Sequence, residues 1–281
     1  MYFCVLLTTQ GRLNYLERLF ESLLHQTYRN FFVLLGDQSA EGELDALLSR
    51  YEKNFRIDRH ILPQLSLSAA RNALLPFVEG DYIYFSDDDS YLAPSTFAIM
   101  AQYARKWPRA GALIGSGQSK PGLEKPCACS LPSRELSAYS VFRNCPSWCI
   151  FVKKDVPQLI GFFDENIGVG ASTPWQSGEE TDYLLRILAA GMPVVHCSKA
   201  HLYHDAEANH PLDLDKTRNY SAGRMYTIKK HSLPAWFAIC NVLYPLSQII
   251  AEVPRDGLPA LKRRTIMFYS RLRWLIKLAL K

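Results

Sequence analysis

Three features of the sequence predict an α/β fold, a mainly parallel sheet flanked by helices. Short apolar runs alternate with stretches of helical periodicity over roughly the first two hundred residues. One such run, Tyr82-Ile83-Tyr84-Phe85, leads through Ser86 into Asp87-Asp88-Asp89, so carboxylates stand at the carboxyl end of a strand, where open α/β sheets take their ligands. Beyond Lys216 the alternation stops, and a C-terminal helical extension is expected.

Tyr2 to Leu7 is the first apolar run. Asn14 to His25 carries Leu16, Leu19, Phe20 and Leu23 at helical spacing, and Phe31 to Leu35 is apolar again, a β-α-β opening. Ala46 to Tyr51 is weakly helical, Ile57 to Leu62 reads as a strand, and Ser68 to Phe77 as a helix that Pro76 disturbs. After the strand Tyr82 to Phe85, a helix is expected over Pro94 to Trp107 and a strand over Ala112 to Ile114. Ser116 to Ser147, rich in Gly, Pro, Ser and Cys, reads as a region with a loop that could order over a substrate. Cys149 to Val152 is a strand, followed by a flexible segment from Gly168 to Gly178. Gly178-Glu179-Glu180-Thr181-Asp182 then leads into a helix whose buried face is Leu184, Leu185, Ile187 and Leu188. Gly191 ends it, and the strand Pro193 to Cys197 precedes the polar stretch His201 to His210.

The chain has 281 residues, 48% hydrophobic and 21% charged, enough for a sizeable core. Seven cysteines, an odd number, and no apolar leader before the polar stretch Thr8 to Asn14 point to a reducing, cytosolic compartment. Cys127 and Cys129 with Cys145 and Cys149 lack the spacing of a common zinc module. The net charge is +5, yet Gly257 to Lys281 holds seven basic residues and no acidic one, so the rest carries 5 − 7 = −2. Without basic residues spread over a groove or a recognisable reading element, a nucleic-acid partner is not expected.

Asp87 and Asp89 would project to one side if strand geometry continued through them. A hard divalent cation, Mg2+ or Mn2+, held by one or two carboxylates and substrate phosphates, would offset their repulsion. A solvated acidic turn is the plainer alternative.

Five segments in order carry a family resemblance: Leu7-Thr8-Thr9-Gln10-Gly11-Arg12; His25-Gln26-Thr27-Tyr28 before a strand ending Gly36-Asp37-Gln38-Ser39; Ser68-Ala69-Ala70-Arg71-Asn72; Tyr84-Phe85-Ser86-Asp87-Asp88-Asp89; and Gly178-Glu179-Glu180-Thr181-Asp182. Together they resemble the motifs of family-2 glycosyltransferases over roughly residues 3 to 205. The resemblance implies the GT-A fold, with a catalytic domain over 1–216, its nucleotide-sugar half about 1–115 and acceptor half about 116–216; the helical segment over 217–281 is expected, from its own residue pattern, to associate with a membrane. It implies nucleotide-sugar contacts at Thr9, Arg12, Asp37, Arg71, Asp87 and Asp88, and a divalent cation at Asp87, Asp89 and His204, with His201 the competitor for the last place. Asp37 at a strand end can accept hydrogen bonds from a base edge, and the Arg71 guanidinium can meet phosphate in forked contacts.

Glycosyl transfer needs a base for the acceptor hydroxyl. Glu180 is the choice and Glu179 the alternative, Glu180 replacing the family's usual Asp with a carboxylate one methylene longer. Acidic residues at this place also suit a helix N-terminus. The absence of a Gln-x-x-Arg-Trp sequence implies a non-processive enzyme.

Ser232 is followed by nineteen uncharged residues, but Pro234, Asn241, Pro245, Ser247 and Gln248 argue against a spanning helix. Leu261, Phe268, Leu272, Leu275 and Ala279 recur at helical spacing among the basic residues, a pattern that suits an anionic membrane surface, with Tyr269 and Trp274 at the interface. The expectation is an inverting, metal-dependent hexosyltransferase, peripheral on the inner face of the cell membrane, using a nucleotide diphosphate sugar such as a UDP-hexose. Its acceptor would be a glycan hydroxyl, lipid-linked by resemblance, in surface-polysaccharide synthesis. A nucleotidyltransferase or a non-catalytic glycan-binding protein on the same fold are the alternatives.

Overall fold

The computed structural model describes residues 1–118, 132–204 and 213–279. Cys127 and Cys129, with the rest of 119–131 in the Gly/Pro/Cys-rich stretch, and His210 lie outside the described residues. The described residues form two compact units. One takes those within Met1–Leu65, Ala69–Phe163 and Tyr183–Ala206; the other takes those within Ser66–Ser68, Asp164–Asp182 and Glu207–Lys281.

The first unit is built on the sheet. β1 (Phe3–Thr9), β2 (Phe31–Asp37), β3 (Ile57–Ile61) and β4 (Tyr82–Asp87) run parallel in the order β3-β2-β1-β4, continued by β8 (Ile150–Lys153), β6 (Ala112–Gln118), β9 (Val194–His204) and β5 (Ser90–Leu92). β7 (Arg134–Glu135) pairs with β9. β8 is antiparallel to both β4 and β6, and β9 is parallel to β6, so among the described residues six of the nine strands point one way and β5, β7 and β8 oppose them. β1 and β2 are buried almost throughout, which explains why both read as continuous apolar runs. Helices α1 (Leu13–Leu24), α2 (Asp45–Tyr51), α3 (Leu67–Leu74) and α4 (Thr96–Lys106) connect the strands. Leu16, Leu19, Phe20 and Leu23, the periodic set of α1, are all buried.

Several elements differ from the sequence expectation. β6 runs on to Gln118 through Gly115 and Gly117, residues that suggest a turn. A Cβ at Gly115 would collide with Leu202, and one at Gly117 would lie 2.5 Å from the Trp148 ring, so these glycines mark close packing inside a strand. β9 extends through His201 to His204, past a register shift opposite Gly115 and Ser116, where the sequence suggested a polar loop. The short β5, β7, α5 (Ala138–Asn144) and α6 (Val156–Ile160) were not anticipated; each is too short to show a period.

The second unit contains the segment before and into α7 (Glu179–Ala189), then α8 (Leu214–Lys230) and α9 (Ala235–Ala279). Asp213 caps α8, its side chain accepting from the Lys216 amide at 2.7 Å. α9 is two helices broken at Gly257, which has φ 65° and ψ −152°. The second half turns back along the first: Arg263 and Arg264 reach Glu252, and Arg271 donates to the Asn241 carbonyl at 2.7 Å.

Candidate active site

Parallel register brings the motif residues of the first unit to one end of the sheet. Thr9 stands opposite Asp37 at the ends of β1 and β2, and Thr8 opposite Asp87 at the end of β4. Asp37 is buried. Its carboxylate accepts from the Ser39 amide at 2.8 Å and from Arg59 Nε at 2.8 Å and Nη2 at 2.6 Å, and Arg59 also reaches Asp45. Arg59, on β3, is a partner that the sequence did not single out.

The three aspartates after β4 have different surroundings. Asp87 Oδ1 accepts from Arg71 Nη2 at 3.0 Å and Oδ2 from Ser147 Oγ at 2.8 Å. Arg71 is almost fully buried, with the Phe85 and Phe163 rings 5.6 and 5.5 Å from its guanidinium. Asp88 turns inward, accepting from Thr9 Oγ1 at 2.7 Å and from two nitrogens of Arg12. Asp89 takes Arg12 Nη1 at 2.9 Å and His204 Nε2 at 3.1 Å, and its backbone carbonyl accepts from Arg18. The antiparallel pairing of β5 with β9 sets Ser90 opposite His204 and so carries the histidine to the aspartates. Trp148 stacks on the His204 ring, centroids 5.5 Å apart. His201 points elsewhere, with Nδ1 3.2 Å from Gln118 Nε2.

Charge follows this arrangement. Burial alone would raise Asp89, but the hydrogen bond and charge of His204, with Arg12, hold it down to about 2. The Asp89 hydrogen bond raises His204 against its partial burial. Burial pushes Asp88 up, against the pull of Thr9 and Arg12.

A carboxylate and an imidazole 3.1 Å apart, both partly exposed, are a donor set that a divalent cation with mixed O and N ligands can use. Among the described residues, no group of three or more His, Cys, Asp or Glu side chains is gathered for a metal. Asp89 and His204 therefore fit a cation that draws its other ligands from substrate and water.

The second unit holds the Glu179-Glu180 turn. Glu179 is buried, and its carboxylate packs against the Gly168-Val169 backbone: a Cβ at Gly168 would stand 2.8 Å from its carboxyl carbon. Glu180 is half-buried. The segment that leads in is tightly hydrogen-bonded, with Gly168 N to Trp175 O at 2.9 Å and Thr173 Oγ1 to Asn166 O at 2.6 Å. Asp182, in the same first turn of α7, is fully buried and lies 2.8 Å from both Lys230 Nζ and His231 Nε2. No sequence signal marks that pairing, which joins residues far apart in the chain.

The family model described as Glycosyl transferase family 2 matches residues 4–126. The CgeD protein of Bacillus subtilis (strain 168) is 30% identical over 117 residues, which cover 39% of this chain and 28% of CgeD. Among solved structures, mannosyltransferase PcManGT from Pyrobaculum calidifontis, in complex with GDP-Man and Mn2+, superposes with a TM-score of 0.69 at 13% identity, covering 97% of this chain and 86% of that one. S. aureus TarS 1–349 in complex with UDP-GlcNAc gives 0.60 at 14% identity, covering 97% and 92%. The chain spans 55% of the longer TarS structure. These likenesses show the fold, that of GT-A glycosyltransferases. The segment 4–126, with Asp87-Asp88-Asp89 inside it, is thus similar to glycosyl transferase family 2.

Proposed function

We propose that the chain is an inverting, non-processive glycosyltransferase that moves a hexose from a nucleotide diphosphate sugar, a UDP-sugar first, to a glycan hydroxyl. The observation that carries this reading is the acidic end of β4 joined by His204 within a GT-A fold. PcManGT with GDP-Man and Mn2+ and TarS with UDP-GlcNAc support both the donor class and the cation.

Asp87, Asp89 and His204 would hold the divalent cation, which when bound compensates charge on the departing diphosphate. Thr9 and Asp37 serve the nucleotide base, and Arg12, Arg71, Asp87 and Asp88 the donor side, with Arg71 paired to Asp87 and Arg12 to Asp89. Glu180 accepts the proton of the acceptor hydroxyl as its oxygen bonds to the anomeric carbon and the bond to the diphosphate oxygen breaks. The burial of Glu179 against Gly168-Val169 favours Glu180 over it. The division into a nucleotide-sugar half (1–115), an acceptor half (116–216) and a membrane-associating segment (217–281) belongs to the same proposal. So do a lipid-linked acceptor and a place on the inner face of the cell membrane.

The test is a panel of nucleotide sugars with Mn2+, reading free nucleotide. Release of UDP or another nucleoside diphosphate supports transfer, and pyrophosphate release would mean a nucleotidyltransferase. No binding or turnover of any donor would leave a non-catalytic protein on this fold.

A further inference from the structure

The first turn of α7 is held by α8, which lies outside the residues matched to the family. The contacts all fall within the second unit. Ser177 Oγ donates to the Tyr220 carbonyl at 2.9 Å. Gly178 has φ +97°, and a Cβ there would stand 2.7 Å from Thr227 Oγ1, which itself donates to the Gly223 carbonyl at 3.0 Å. A Cβ at Gly223 would collide with the Ser177 carbonyl. A glycine inside a helix is unfavourable unless a close approach requires it, and here α8 presses directly on the residues before Glu179.

The charged end of this contact is more specific. Lys230 and His231 close α8, where cations suit the helix dipole; Asp182 opens α7, where anions do. Lys230 Nζ bridges Asp182 at 2.8 Å and Asp164 at 2.7 Å, and His231 Nε2 shares the same Asp182 oxygen at 2.8 Å. Burial of Lys230 opposes its charge, yet the two aspartates raise its pKa, so it stays an ammonium. Glu180 precedes Asp182 by two residues on the same turn. Fixing a buried side chain on that turn sets the rotation of the helix about its axis, and hence the direction of Glu180.

We infer that Lys230 and His231 are positioning residues for Glu180, acting through Asp182; this rests on Glu180 being the base. Their role would be to hold the carboxylate within reach of the acceptor hydroxyl, a geometry in which a displacement of about 1 Å can cost about 10²-fold in rate.

Two measurements on the full chain test the inference. Hydrogen exchange at residues 177–183 reads the network without activity: Lys230→Met should expose these amides, and Lys230→Arg should largely restore protection. Unchanged exchange in Lys230→Met would overturn the inference whatever the enzyme does. Turnover in a double-mutant cycle reads the role. Lys230→Met should lower kcat by about tenfold or more with nucleotide affinity within about twofold. The same change should add little in a Glu180→Gln background, because the group it positions is gone. Equal effects in both backgrounds, or parallel losses of kcat and nucleotide affinity, would overturn it. Should Lys230→Met not fold, His231→Gln is read in the same assays with the same outcomes. A failed donor screen, by contrast, would strike at the transferase reading while the exchange result stood.

Discussion

At the scale of single residues, Asp89 has the most to lose. It is the carboxylate of the triplet that meets His204, and it is also paired with Arg12. Asp89→Ala should abolish the Mn2+ dependence of UDP binding, because the diphosphate charge is then poorly compensated. Calorimetry with and without Mn2+ checks this, and unchanged metal dependence would move the cation away from Asp89. Metal-free protein offers a second measurement. Asp89 is lowered from 3.8 to about 2, so its contribution to stability is present above 3.8 and is lost as pH falls through about 2. His204 is raised from 6.5, so its contribution is present below 6.5 and is lost as pH rises through the raised value. The stability difference between wild type and His204→Gln should therefore be greatest between those two ordinary values and shrink on either side. A difference that is flat with pH would mean that the pair is not an ion pair in solution. For the base, Glu180→Gln should lower turnover by about 10²–10⁴ with nucleotide binding near normal, and Glu179→Gln should lower it less. The reverse order would assign the base to Glu179.

At the scale of elements, what could be read from the sequence was what repeats. The buried strands β1, β2 and β4 show as unbroken apolar runs and helix α1 is long enough to show its period, while the five short motifs lie with Thr9, Asp37 and Asp87 at strand ends, Asp89 just beyond one, and Arg71 on helix α3. What could not be read was pairing over long separations. β5 is three residues long, yet it brings His204 to Asp89; Arg59 meets Asp37 only because β3 lies beside β2; Ser147 reaches Asp87 from a single 3-10 turn before β8. Glycines misled in one direction, since Gly115 and Gly117 sit inside a strand pressed against neighbours, as Gly223 does inside α8. That makes a prediction. Ala is the better helix former by about 1 kcal/mol at an exposed interior position. Gly223→Ala should nevertheless lower stability, because its Cβ meets the Ser177 backbone, which cannot move as a flexible side chain would. Urea unfolding checks the sign, and a stabilised variant would mean that α8 does not press on that segment.

At the scale of the whole molecule, the C-terminal extension differs from the basic amphipathic helix that the sequence suggested. The returning half of α9 is packed within its unit: Arg271 and Ala260 are buried, Trp274 meets Trp175 edge-on at 6.4 Å, and Arg264 is tied to Glu252. The exposed apolar surface lies instead on the first half, where Trp236, Ile239, Leu243, Leu246 and Ile250 recur every three or four residues, with Ile250 81% exposed. Removing everything after Asp256 would therefore uncover the Asn241 and Glu252 contacts and destabilise the unit rather than simply release an anchor. Substituting the stripe is the cleaner test of the membrane proposal. With Lys262, Arg273 and Lys277 exposed on the returning half, the full chain should sediment with anionic vesicles, and less so as salt rises, since each basic residue near the surface contributes about 1 kcal/mol. Changing Ile239, Leu243 and Ile250 together to Ser removes apolar area and leaves every charge in place, so sedimentation should fall while donor hydrolysis is retained. If the triple variant still sediments fully, the stripe is not the contact. If the wild type instead self-associates in solution and the variant does not, the stripe covers a second copy of the chain and not a lipid surface.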